Sequence, residues 1–266
     1  MSDTPVAGNR PGGGDNHPTL EISLGSRGYL GITGTSAETR LDRPLYAINL
    51  LDRRRPWAYE LYGALAVRPL GRAGGRVLFK GHRTRMLEGD PSTDRETLLL
   101  VRYPEAQAFL GLVQRPIFMA LGLLRQLGLK RFLFGFAERL GSGPTRGPEP
   151  HPSPRPYRGA ERYLLYAFTA DREQARPRLE ALTATLENTS AKLYFAGLQA
   201  ATVTHRSPNS ETRRPSTVAP PMPWSGIVVL SAADEAALES AYAGPPLAEL
   251  RALADSSAAT FYRRTV

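Results

Sequence analysis

The order of hydrophobic signals between Tyr46 and Leu140 limits the choice of fold more than any other feature of the chain. Leu45-Tyr46-Ala47-Ile48-Asn49-Leu50-Leu51 is an apolar run held between Pro44 and the charged Asp52-Arg53-Arg54-Arg55, the pattern of a buried strand. After Pro56, the positions Trp57, Leu61, Leu65 and Val67 approach helical spacing, with Tyr59 and Tyr62 close to that stripe. Pro69 and Gly71 are expected to end the helix, and Gly74-Gly75 to turn the chain. Arg76 to Gly81 and Thr97 to Tyr103 read as two further strands, Glu105 to Leu127 as a helix interrupted near Pro116, and Arg131 to Phe136 as a closing strand. Strand, helix, strand, strand, helix, strand is the ferredoxin-like order.

The same order returns downstream. Tyr163 to Phe168 reads as a strand and Asp171 to Glu187 as a helix capped by Thr169 or Asp171; Ala191 to Thr204 holds the next strand and Ser225 to Leu230 the third. Ser231 is the expected cap of the second helix, and Ala258 to Thr265 the last strand. The predicted fold class is therefore α+β: two ferredoxin-like βαββαβ units, residues 44–140 and 161–266, whose sheets pair into an intrachain dimeric α/β barrel. Between them, residues 141–160 form a Pro-rich linker, with six prolines from Pro144 to Pro156 that forbid helix and favour an extended spacer. Residues 1–43 are read as a flexible arm, in which Leu20, Ile22 and Leu24 alternate as an accessory strand would; Gly25, Gly28, Gly31 and Gly34 are loop glycines, since no GxGxxG spacing occurs. His205 to Trp224 is a long irregular insertion, either a lid or a mobile loop.

Several landmarks of the first unit now stand together: Tyr59-x-x-Tyr62, Gly74-Gly75-Arg76 opening a strand, Leu87-Glu88-Gly89-Asp90, and a strand ending Tyr103-Pro104 before a helix with Ala106 and Phe109. As a set they resemble the DUF1330 group, a branch of the dimeric α/β-barrel superfamily, over roughly Leu45 to Phe136. The segment Gly81-His82-Arg83-Thr84-Arg85 departs from that group, and the second unit lacks the Gly-Gly and Glu-Gly landmarks. The resemblance implies a fold first. It also implies a small-molecule enzyme of the kind seen in natural-product biosynthesis, a polyketide-type cyclase or isomerase or a monooxygenase that works without metal or organic cofactor. A non-catalytic ligand-binding or interaction module is the alternative, and a haem-binding relative a weaker one.

Thirty-four basic against 25 acidic residues leave a net charge of +9, which favours anionic ligands unless solvated arginine accounts for it. The absence of cysteine removes disulfides and thiolate chemistry. Met1 to Pro18 has no apolar core like that of a secretory signal, and Ile117 to Leu124 falls far short of the ~20 residues that span a bilayer. A cytoplasmic protein with a small anionic substrate, further self-association as an option, and neither a membrane nor a nucleic-acid partner is the expectation.

Four histidines exist, and two matter: His82 and His205 follow the second strand of each unit, so symmetry is expected to bring them to equivalent barrel mouths as general bases. Arg102, with the parity of Leu98 and Leu100, is the expected clamp for a carboxylate or enolate. Asn49, Tyr46, Tyr166 and Tyr194 are the expected substrate-binding residues. Trp57 and Trp224 are read as packing residues. No HxH, HxxE or HExxH spacing announces a metal site, so none is expected, and no cofactor is either.

Overall fold

The computed structural model describes residues 17–24, 28–90, 93–140, 159–186, 189–206, 216–217 and 222–265. The first unit consists of β3 (Leu45–Arg53), α1 (Pro56–Arg72), β4 (Arg76–Glu88), β5 (Thr97–Tyr103), α2 (Ala106–Val113), α3 (Pro116–Gly128) and β6 (Leu129–Arg139). The second consists of β7 (Arg162–Thr169), α4 (Arg172–Leu186), β8 (Lys192–Arg206), β10 (Gly226–Ala232), α5 (Glu235–Ala243), α6 (Pro245–Leu253) and β11 (Ser256–Arg264). Before them, β1 (Thr19–Ser23) and β2 (Tyr29–Gly34) form a hairpin that extends β8, which also carries the two-residue β9 (Ser216–Thr217).

All pairings are antiparallel, in the order β8-β10-β7-β11-β4-β5-β3-β6, and β6 returns onto β8, so eight strands close into a barrel. Within each unit the strands lie in the order second, third, first, fourth. Each fourth strand then joins the other unit's second strand, β11 on β4 and β6 on β8. The units are therefore related by a pseudo-two-fold along the barrel axis, and closure leaves no barrel strand with an open edge. The register makes the equivalence explicit: Tyr46 corresponds to Tyr163, Phe79 to Phe195 and Thr97 to Gly226.

Strand parity sorts the side chains. Tyr46, Ile48 and Leu50 join Tyr163, Leu165 and Ala167 in the barrel interior, each buried leucine or isoleucine contributing about 1.5–3 kcal/mol. Their neighbours Leu45 and Ala47, and on the other side Leu164, Tyr166 and Phe168, face the helix layers. Met222 and Trp224, from the return of the 205–224 insertion, are buried within the interior cluster, and Met222 lies over Gly135, where a Cβ would come within 3.3 Å of it. The described end of the insertion is thus a plug in the barrel rather than a free loop.

Several boundaries differ from the sequence expectation for physical reasons. Pro69 lies inside α1 instead of ending it; the helix continues to Arg72 and stops where Gly74 takes a φ of +75°, a conformation that favours glycine. The inward face of α1 is Ala58, Tyr59, Ala66 and Leu70, while Trp57, Leu61, Leu65 and Val67 are exposed. The cause is a close helix crossing: a Cβ on Gly128 of α3 would stand 2.8 Å from the Tyr59 backbone nitrogen, so the small and flat residues face inward and the bulky stripe cannot. Ser231 is a strand residue, and the cap of α5 is Asp234, which accepts from the Ala237 amide at 2.8 Å. Asp171 caps α4 through the Gln174 amide. The arm is not free over its whole length, because Thr19–Ser23 and Tyr29–Gly34 belong to the sheet, with Gly31 and Gly34 in strand β2. The linker at 141–158 lies outside the described residues.

Candidate functional site

At one end of the barrel, the strands deliver polar groups onto an aromatic floor. Two symmetry-related pairs form the floor, Tyr46 against Phe195 at 5.1 Å and Tyr163 against Phe79 at 4.8 Å between ring centroids. Tyr194 packs against the second pair, 5.8 Å from Phe79 and 5.5 Å from Tyr163. It reaches the interior because β8 bulges there: Phe195 pairs with Val229 and Leu193 with Leu230, leaving Tyr194 as the extra residue. Its hydroxyl donates to the Leu78 carbonyl on the opposite strand β4, which bulges at the equivalent place.

Above the floor stand arginines. Arg102, half-buried, has interior parity and forms no ion pair among the described residues. Arg264, 93% shielded from solvent, shares the parity of Tyr262, donates to the Leu78 carbonyl at 3.2 Å, and lies 5.8 Å from the Tyr194 ring centroid. Arg139, its register equivalent, shares the parity of Ala137. One carboxylate is nearby: Glu161 accepts a 2.7 Å hydrogen bond from the Tyr163 hydroxyl. Arginines beside tilted and edge-on aromatic rings, with a tyrosine–carboxylate pair, suit a flat anion, since a guanidinium fork binds carboxylate or enolate oxygens bidentately.

The expected site residues divide. Tyr46, Arg102 and Tyr194 meet at this mouth. Asn49 does not: it alternates with Ile48 and Leu50, so it faces the helix side, where its amide donates to the Leu99 and Ala47 carbonyls. Tyr166 is its register equivalent and likewise packs under helices, 5.6 Å from Tyr242, where burial pushes its hydroxyl up to about 12.

Neither histidine reaches the mouth, and the two are not equivalent. By register His82 corresponds to Leu198, both facing the first residue of the third strand, whereas His205 pairs with Leu30 and Ser216 beyond the barrel wall. His82 lies on the outer face beneath α1, its Nδ1 3.0 Å from Thr97 Oγ1. Around it Arg53 pairs with Glu96 and Glu60, and Lys80 with Glu60. Burial, reinforced by Arg53 and Lys80, lowers its pKa below the ordinary histidine value. An axial haem ligand from either histidine is therefore not available inside the barrel. Among the described residues no group of three His, Asp or Glu side chains is arranged for a metal ion.

Sequence reasoning missed Arg264, Arg139, Tyr163 and Glu161. The signal was present for the arginines: each interrupts an apolar strand at interior parity near the same barrel end, as Arg102 does.

Residues 44–133 match the family model described as a domain of unknown function, DUF1330. No curated protein matches the chain. A protein of unknown function from Rhodopseudomonas palustris is 22% identical over 40% of this chain and 88% of its own, with a TM-score of 0.37. An anthrone oxidase-like protein is 13% identical over 86% and 93%, at 0.46, and a mutant chlorite dismutase from Candidatus Nitrospira defluvii 9% over 83% and 91%, at 0.42. Likenesses this distant carry no argument about activity. The stretch from strand β3 into strand β6 is thus similar to the DUF1330 model, and it lies in an eight-stranded barrel that one chain closes by itself.

Proposed function

We propose that the arginine-rimmed mouth binds a small, planar, acidic molecule and moves a proton on it. The observation that carries this reading is the half-buried Arg102, without an ion pair among the described residues, at the aromatic end of the barrel. Tyr46 and Phe195 are buried, so a conjugated carboxylate or phenolate would have to part the side chains at the rim to set its ring against Tyr46 while its oxygens meet Arg102, where transfer from water strengthens the charge-assisted hydrogen bonds. The proton-transfer role expected of the histidines passes to Tyr163, whose hydroxyl is held by the Glu161 carboxylate. Cyclisation or isomerisation of an enolisable substrate fits such a pair. Oxygenation of an electron-rich substrate needs the same anion-stabilising arginine.

A binding module without turnover is the second reading, favoured by the apolar packing of the interior beneath the floor. Titration with 1-hydroxy-2-naphthoate, followed by quenching of its fluorescence, tests the first part. Arg102→Ala is expected to weaken binding at least tenfold, the worth of one charge-assisted bidentate contact. Equal affinity in the variant would remove Arg102 from the site. Phenylpyruvate, an anionic conjugated acid with an enolisable C–H, separates the readings: deuterium exchange at its C3 that is accelerated by the parent protein and lost in Tyr163→Phe at unchanged affinity supports the enzyme, and no acceleration by the parent protein supports the binding module.

A further inference from the structure

Every large apolar side chain that is exposed among the described residues lies on one helix pair, α1 and α3. Trp57, Leu61 and Leu65 recur at helical spacing on α1, and Ile117, Leu123 and Leu127 share the outer side of α3, with exposures from 37% at Leu127 to 70% at Leu123. The helices pack side by side, Tyr59 against Gly128 and Tyr62 against Phe118, so the stripes form one continuous surface rather than scattered residues.

Charge frames it. Residues 53–72 and 115–130 contain eight basic side chains and one acidic one, Glu60, a net +7 of the chain's +9. Arg54, Arg55, Arg68, Arg72 and Lys130 are exposed and form no ion pair among the described residues. Arg68 and Arg72 continue the stripe of Leu61 and Leu65 toward the helix end. Glu60 itself is engaged by Arg53 and Lys80.

The second unit is an internal control. Its α4 and α6 occupy the equivalent places and pack against each other, yet among the described residues they expose no large apolar side chain, and charges on them pair: Arg176 with Glu180 and Arg178 with Glu249. The fold therefore does not require an apolar outer face on this helix pair. Only the first unit has one.

We infer that this face attaches the protein to an anionic lipid bilayer. An outer face that is apolar at its centre, contains a tryptophan and is flanked by arginine and lysine is the composition of a helix that lies in the headgroup layer. The charge decides between occupants. A second copy on the same face would set +7 against +7, whereas an anionic leaflet supplies both an apolar phase and the opposite charge. Among the described residues no single helix is long and apolar enough to cross a membrane, and the pair α2 and α3 that together has the length and composition is bent by 82°; the inference is of attachment at the surface. The sequence expectation of no membrane partner rested on spanning length, which does not bear on a surface contact.

The test is cosedimentation of the full chain with sucrose-loaded vesicles, either pure phosphatidylcholine or phosphatidylcholine with phosphatidylglycerol. Trp57 fluorescence gives a second readout, since Trp224 is buried and Trp57→Phe isolates its background. Binding to the anionic vesicles, weakened at least tenfold by raised salt and by Leu61→Glu/Leu123→Glu, with a blue shift lost in Trp57→Phe, is the expected result. Arg54→Glu/Arg55→Glu, which leaves the apolar stripe intact, is expected to lose the anionic preference while circular dichroism shows an unchanged fold. Absence of binding to anionic vesicles, or equal salt-insensitive binding to both, overturns the inference. So does a dimer that Leu123→Glu converts to monomer, which would make a second copy the occupant.

Discussion

At residue 82 two influences meet. Burial and the neighbouring Arg53 and Lys80 disfavour the imidazolium, while Glu96 and Glu60 oppose them more weakly. Because the folded protein holds His82 neutral, the unfolded chain takes up the proton first as pH falls. The stability linked to this side chain is fully present above the ordinary histidine pKa of about 6.5 and is lost as pH drops through it. Thermal unfolding of His82→Gln is expected to depend less on pH between about 7.5 and 5.5 than that of the parent protein. A parallel pair of curves would mean that His82 is not held neutral. Glu60 and Glu96 act in a lower window: their pKa values are lowered, by Lys80 for Glu60 and by Arg53 for Glu96, against burial that raises them. Their contribution is present above the unfolded carboxylate value and is lost below about 4.5. Residue identity alone drew attention to His82 and Asn49, because polar groups in apolar strands are rare. Which face they occupy follows from parity counted along a paired strand, and the bulges at Leu78 and Tyr194 shift that count by one.

Elements were legible where one period dominated. Both strand–helix–strand–strand–helix–strand orders, and the break at Pro116, are present in the sequence because apolar runs, prolines and Gly-Gly turns mark their ends. Helix α1 shows where this legibility stops. Its hydrophobic stripe is real, but a stripe names a side, not what covers that side, and the contact at Gly128 turned it outward. The two tryptophans turn this into a measurement. Trp224→Ala removes a 5%-exposed ring from the barrel interior and is expected to cost about 3–5 kcal/mol, whereas Trp57→Ala, 59% exposed, is expected to stay within about 0.5 kcal/mol. Denaturant unfolding of the two variants checks it, and equal losses would contradict the assigned plug.

At the scale of the whole molecule, the pseudo-two-fold explains both what the units share and where they differ. Closure by β6 on β8 and β11 on β4 fixes equivalent aromatic pairs at the axis, Tyr46 with Phe195 and Tyr163 with Phe79. The polar groups break the symmetry: Arg102, paired with Tyr46, has Ser231, paired with Tyr163, as its register equivalent, and Glu161 accepts from Tyr163. The apolar outer helix face belongs only to the first unit. The two units thus share a topology while differing in their outer helix faces, and the mouth between them acquires a direction. The sequence could announce the scaffold through local patterns. It could not announce the mouth, because residues more than 100 positions apart assemble it.

A crystal structure of the protein soaked with 1-hydroxy-2-naphthoate tests the central claim most directly. The account predicts planar density on the Tyr46–Phe195 and Tyr163–Phe79 floor, with its carboxylate within hydrogen-bond distance of Arg102. Density beside His82 on the outer face, or a mouth filled by the protein's own side chains with the ligand elsewhere, would contradict it.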